Sequence, residues 1–143
     1  MIQKYLKDEL KLLIPDLTWT IDFRSAPDHT GTVYSEGGGA PGQYDVGMRY
    51  PTYMVYIRSS NWGYAKTVAE KVYKALHKKK DFTATVEQHD RQGNVTGSTS
   101  YHVFFVSAVS DPIPIGVQDD IMDYSINFDV TLTEIKEEMT NGT

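Results

Sequence analysis

Apolar residues along the chain follow two kinds of spacing, and the spacing places most of the elements. Ile2, Tyr5, Leu6, Leu10 and Leu13 recur every three or four residues and predict an amphipathic helix over 2–13, stopped by Pro15. Leu17, Trp19, Ile21 and Phe23 alternate with Thr18, Thr20, Asp22 and Arg24, the period of a strand with one dry and one wet face. Tyr53–Arg58 is apolar or aromatic on both faces, which suits a central strand. Ser59, Ser60 and Asn61 then offer side-chain oxygens to the free N–H groups of a following helix. Its apolar stripe is Ala65, Val68, Ala69, Val72, Tyr73 and Leu76, and Lys80-Asp81 ends it.

Farther on, Phe82, Ala84 and Val86 alternate with Thr83, Thr85 and Glu87. A turn at Asp90–Asn94 should return the chain antiparallel through Ser100–Ser110. Asp111–Gly116, with Pro112 and Pro114, breaks that strand. Met122, Tyr124, Ile126, Phe128, Val130 and Leu132 then alternate with polar residues in the clearest strand of the chain.

The expected fold is a single α+β domain, 1–143, with one mixed or antiparallel sheet of about five strands and two helices on one face. Thr, Ser, Asp and Asn would face solvent on the other side. The strand-helix-strand step through 53–87 would be right-handed if its strands run parallel, and a charged tail, 134–143, should fray. Residues 25–50 hold Gly31, Gly37, Gly38, Gly39, Gly42 and Gly47 but too few aliphatic side chains for a core element. They are expected to form a long glycine-rich arm, with Val33-Tyr34 and Tyr44–Met48 as a short hairpin, ordered against a partner. Deleting 31–47 would then leave a folded protein.

Composition narrows the chemistry. The chain has no cysteine, which removes disulfides, thiolate metal sites and cysteine nucleophiles. Its net charge of −5 argues against a dominant nucleic-acid footprint. The charge is nonetheless divided: nine of ten lysines lie in the two helical segments, and acidic residues dominate the C-terminal third. Such a chain suits pairing of opposite patches between identical subunits. No apolar run is long enough to span a bilayer and no signal peptide is visible, so a soluble protein made in the cytoplasm is expected.

Catalytic and metal motifs are sparse. His29, His77, His89 and His102 have no metal-converging spacing, although His89 and His102 could be cross-strand neighbours. Asp119-Asp120 with Asp123 offers hard oxygen ligands but lacks the glycine and terminal glutamate of an EF-hand loop. Gly37–Gly42 has no Lys-Ser/Thr after it and opens no helix, and Gly-x-Ser-x-Gly is absent. Neither an enzyme nor a cofactor or metal site is expected.

Two segments together resemble a known family. Val55-Tyr-Ile-Arg-Ser-Ser60, followed by Ala65, Ala69, Val72-Tyr73 and Leu76, is similar to the core of small minor capsid and tail-completion proteins of long-tailed bacteriophages. The segment from Ser110 to Asp119, followed by Tyr124-Ser-Ile-Asn-Phe128, is similar to a second motif of that family. Ile115 stands where leucine is usual, Asp119-Asp120 lacks the Gly-Arg pair that often follows, and the glycine-rich arm has no counterpart.

The resemblance covers about 51–133 and implies a structural virion protein of the neck, a tail terminator or tail-to-head joining subunit. It implies a homo-oligomeric, hexameric ring at the head-proximal end of the tail tube. Its partners would be the tube protein and a head completion or connector protein, with DNA passing through the lumen and no membrane. Subunit or partner contacts are expected at Gly37, Gly38, Gly39 and Tyr44 of the arm, at Arg58, at Lys71 and Lys74, and at Asp119 and Asp120. Two other classes stand beside this one: a ligand-binding domain or enzyme with a cleft at Asp28, His29 and Tyr44, and a DNA binder using the lysine-rich helix.

Overall fold

Residues 2–41 and 47–135 are described by a computed structural model. α1 (Gln3–Leu13) is followed by β1 (Thr18–Ile21), β2 (Thr30–Ser35), β3 (Met48–Arg49) and β4 (Thr52–Ser59). Then come α2 (Trp62–Leu76), β5 (Lys80–His89), β6 (Val95–Ala108), β7 (Ile113–Gln118) and β8 (Ile121–Glu134). The fold is α+β with one mixed sheet in the order β1-β2-β4-β8-β6-β5, and β3 and β7 also pair with β8. Among the described residues only β1 and β2 pair parallel; the other pairs are antiparallel.

Among the described residues the sheet therefore has eight strands rather than about five, and the three additional ones carry weak signals. β2 holds few large apolar residues because Gly31 lies under the Trp19 ring, where a Cβ would come within 2.4 Å of it. β3 is only two residues long. β7 contains Pro114 and Gly116, which the sequence pattern treats as breakers; at a sheet edge the missing proline donor costs no ladder bond.

The arm expected over 25–50 is corrected in part by the same strands. Thr30–Ser35 is an inner strand, parallel to β1 and antiparallel to β4, so deleting 31–47 would remove part of the sheet. Tyr44 and Gly42, expected in the arm, and most of the frayed tail lie outside the described residues. β8 extends to Glu134, paired with Tyr101.

Both helices cover the same face. Ile2, Leu6 and Leu10 from the α1 end and Val68, Ala69, Val72 and Leu76 from α2 join Val33, Tyr53, Val55, Ile57, Val103, Ile126, Phe128 and Leu132 in one buried cluster. The α2 start is capped as expected, with Asn61 Oδ1 accepting from Tyr64 N–H at 3.0 Å. The opposite face is not simply a solvated one: Thr30, Thr32, Asp123 and Ser125 are all buried.

Two further expectations change. Asp22 turns left-handed at φ 61 and ends β1, so Phe23 leaves the alternation and is 63% exposed. β5 lies three places from β4 and runs opposite to it, because three antiparallel pairings intervene, so the step through α2 is not a parallel crossover. The β5–β6 hairpin forms as expected, with Asp90 Oδ1 accepting from Gln92 and Asn94 N–H, each at 2.9 Å. Its register places His89 opposite Val95 and His102 opposite Thr83, so the two histidines are not neighbours.

Candidate functional site

The Asp119-Asp120 pair forms a two-residue hairpin turn between β7 and β8. Both residues have positive φ, 54 and 62, and Gln118 pairs with Ile121 across them, the arrangement of a type I′ turn. Aspartate tolerates this backbone because its short side chain is among the few non-glycine types that enter the left-handed region. The turn is fixed to the start of α2 by Trp62, whose Nε1–H donates to the Asp120 carbonyl at 2.9 Å.

Beside this turn β7 exposes Ile113, Ile115 and Val117, and Trp62 is also half exposed. The β7 side chains lie along an edge strand bordered by Asp111, Asp119 and Asp120, which have no ion pair among the described residues. Sequence reasoning found the aspartates and missed the exposed apolar side chains of β7. Ile-x-Ile-x-Val has the period of a single face, but the register shift between Pro114 and Gly116 puts Ile113 opposite Ser125 and Val117 opposite Met122, on opposite faces of the sheet.

At the other end of α2 the ends of the two helices frame a groove of about 210 Å³, lined by Glu9, Leu10, Leu13, Ala75, Leu76 and Lys79. Leu13, expected on the buried stripe, is 49% exposed, and its neighbour Leu12 is 81% exposed. Lys79 pairs with Glu9 at 3.7 Å, and Lys4 and Lys7 share Asp8. Lys11, Lys66, Lys71, Lys74 and Lys78 have no ion pair among the described residues, and Lys71, Lys74 and Lys78 are exposed around Ala75.

Asp28 and His29 do come together, with Ser59 and Ser60. His29 Nδ1 is 3.0 Å from Ser59 Oγ, and its Nε2 is 3.5 Å from Asp28 Oδ2. Asp28 Oδ1 accepts the Ser60 and His29 N–H groups, each at 2.8 Å. Burial pushes the Asp28 carboxyl up, but the hydrogen bonds from Ser60 and His29 outweigh it and hold it below its ordinary value. Ser59 is fully buried, and its oxygen accepts the Asn61 N–H at 3.1 Å. The row fastens the start of α2 to the loop before β2, and its serine hydroxyl faces protein.

Arg58 and the glycines lie apart from one another. Arg58 pairs with Asp123 across β4 and β8, with both side chains largely covered. Gly38, at φ 93, fits against the backbone of Tyr50 and Thr52, where a Cβ would meet the Tyr50 carbonyl oxygen at 2.2 Å. Gly39 N–H donates to the same carbonyl at 2.8 Å. Glu36, beside these glycines, donates its N–H to Thr52 at the start of β4, whereas Met122, next to the acidic turn, pairs with Ser59 at its end. The eight residues between span about 25 Å at roughly 3.3 Å each.

No helix among the described residues is long and apolar enough to cross a membrane, and no three acidic or histidine side chains among them are grouped to hold a metal ion. No curated protein matches the chain. A family model described as bacteriophage tail terminator protein matches residues 10–133, from the last turn of α1 almost to the end of β8.

Proposed function

The chain belongs to the bacteriophage tail terminator proteins, structural components of the virion tail, and we propose that it acts as a ring subunit at the head-proximal end of the tail tube. Six copies form the ring, synthesised in the host cytoplasm. One ring face docks on the tube protein, the other on a head completion or connector protein, and DNA passes through the lumen. The family match over 10–133 carries this proposal. Support within the molecule comes from the apolar side chains left exposed at Leu12, Leu13, Trp62, Ile113, Ile115 and Val117, the kind of surface that marks association sites. The loop at Gly37, Gly38 and Gly39, at the far end of β4 from Asp119 and Asp120, faces one of the adjoining rings. Arg58 supports the acidic end of the subunit through Asp123.

Light scattering on the purified protein, alone and with tail-tube protein, tests the proposal when combined with negative-stain imaging. Six-fold rings, free or seated on tube ends, are the expected result. A monomer indifferent to tube protein would overturn it.

A further inference from the structure

Two surfaces of this chain complement each other in both charge and apolar character. The first is the β7–β8 hairpin, where Ile113, Ile115 and Val117 are exposed between Asp111 and the Asp119-Asp120 turn. The second is the groove between the ends of α1 and α2, lined by Leu10, Leu13, Ala75 and Leu76 with Glu9 and Lys79. Lys79 lines that groove beside Glu9, and Lys71, Lys74 and Lys78 are exposed along and just beyond the last turns of α2. One surface is apolar with an acidic border, and the other is apolar with a basic border. Lysine stems add to the match, since they cover apolar side chains while their ammonium groups reach carboxylates.

The two surfaces cannot meet within one copy. Trp62 fixes the acidic turn to the first residue of α2, whereas the groove lies at Ala75 and Leu76, at its last turn. The helix has 15 residues and rises about 22 Å over that length at roughly 1.5 Å per residue. The complement of each surface is therefore on another copy. A contact of one patch with a different patch is heterologous, and it closes into a ring when the rotation per copy allows it.

We propose that the β7–β8 hairpin of one copy seats in the α1–α2 groove of the next, with Asp119 and Asp120 against Lys71 and Lys74. The contact deepens the ring function proposed above and rests on it. It assigns the two ends of α2 opposite roles, one donating the hairpin and one receiving it.

Charge exchange tests the contact. Asp119→Lys with Asp120→Lys gives a copy whose hairpin and groove border are both basic; Lys71→Glu with Lys74→Glu gives one in which both are acidic. Each variant, shown folded by circular dichroism, is expected to lose rings when alone, under conditions where the wild type forms them. An equal mixture is expected to regain them, since each hairpin again meets an opposite groove and an even-numbered ring closes with alternating variants. Asp119→Asn with Asp120→Asn keeps the left-handed turn and is expected to weaken assembly without disturbing the fold, which covers failure of the lysine variant to fold.

Rings from either charge-reversed variant alone, or a mixture that stays dissociated while the wild type assembles, would overturn the contact and leave the ring standing. Absence of wild-type rings, free or on tube ends, would overturn both.

Discussion

Arg58 Nε lies 3.3 Å from Asp123 Oδ1, and the two residues are direct partners across β4 and β8. Burial pushes the Asp123 carboxyl above its ordinary value, while the Tyr56 hydroxyl and the Arg24 charge pull it part of the way back. A raised carboxyl binds its proton more tightly in the folded state, so its contribution to stability falls as pH rises through the interval above 3.8. At neutral pH the ionised group needs its cation. Asp123→Ala should therefore cost about 3 kcal/mol in urea unfolding, since it leaves the covered Arg58 guanidinium without its carboxylate, and Arg58→Ala should cost less, since Tyr56 and Arg24 still face Asp123. The double variant Arg58→Met with Asp123→Leu should cost less than the sum of the single losses. Additive losses would mean that the two residues act independently.

Gly31 is required by Trp19. A Cβ at this position would fall within 2.4–2.7 Å of three ring carbons, and the ring is held in place by its Nε1–H donating to the Ile14 carbonyl at 2.7 Å. Gly31→Ala should displace the indole, break that bond and destabilise the fold by about 1–3 kcal/mol. In a Trp62→Phe background Trp19 is the sole tryptophan, so a red shift of its emission would report the displacement. Unchanged emission and unchanged stability would place the ring elsewhere.

The Asp119-Asp120 turn separates stability from assembly. Asn-Gly is the preferred pair for a type I′ hairpin turn, so Asp119→Asn with Asp120→Gly should raise stability by about 0.5–1 kcal/mol. The same exchange removes both carboxylates from the proposed contact and should weaken ring formation. A higher melting temperature with fewer rings is the expected combination. Retained assembly in the stabilised variant would show that the aspartates serve only the turn.

Periodicity made the two helices and the strands around Val55, Ala84, Val103 and Phe128 legible, because each buries one regular face in a shared core. β2 was obscured by a tertiary cause: Gly31 yields its place to Trp19, which is distant from it in sequence. β7 was obscured by Pro114 and Gly116, whose usual meaning as breakers fails at a free sheet edge. The charge division between lysine-rich helices and acidic C-terminal third was visible, as were Lys71, Lys74, Asp119 and Asp120. Their separation to opposite ends of α2 was not, since it depends on the bond from Trp62 to Asp120. Leu13 had the spacing of a core residue, yet it lies at the edge of the stripe, where the groove opens.

Tyr53 joins the core to the start of α1 and should govern the alkaline limit of stability. Its hydroxyl oxygen accepts the Ile2 N–H at 3.2 Å within the buried cluster. Burial pushes the phenol up to about 12, with the Ile2 N–H and the Arg49 charge opposing the rise. The unfolded chain ionises the same group near its ordinary value of 10.0, so the folded state retains a proton that the unfolded state has lost. The resulting stability is fully present below pH 10 and is lost as pH rises toward about 12. Tyr53→Phe should lower neutral stability by about 1–2 kcal/mol through the unpaired Ile2 N–H, and it should also flatten the alkaline decline. Denaturant titrations of both proteins at a series of alkaline pH values separate the two effects. A variant that is weaker at pH 7 but declines as steeply as the wild type would show that another tyrosine sets the alkaline limit; Tyr5 is the first to substitute, because its phenol is also raised to about 12 by burial and by its bond to Glu9.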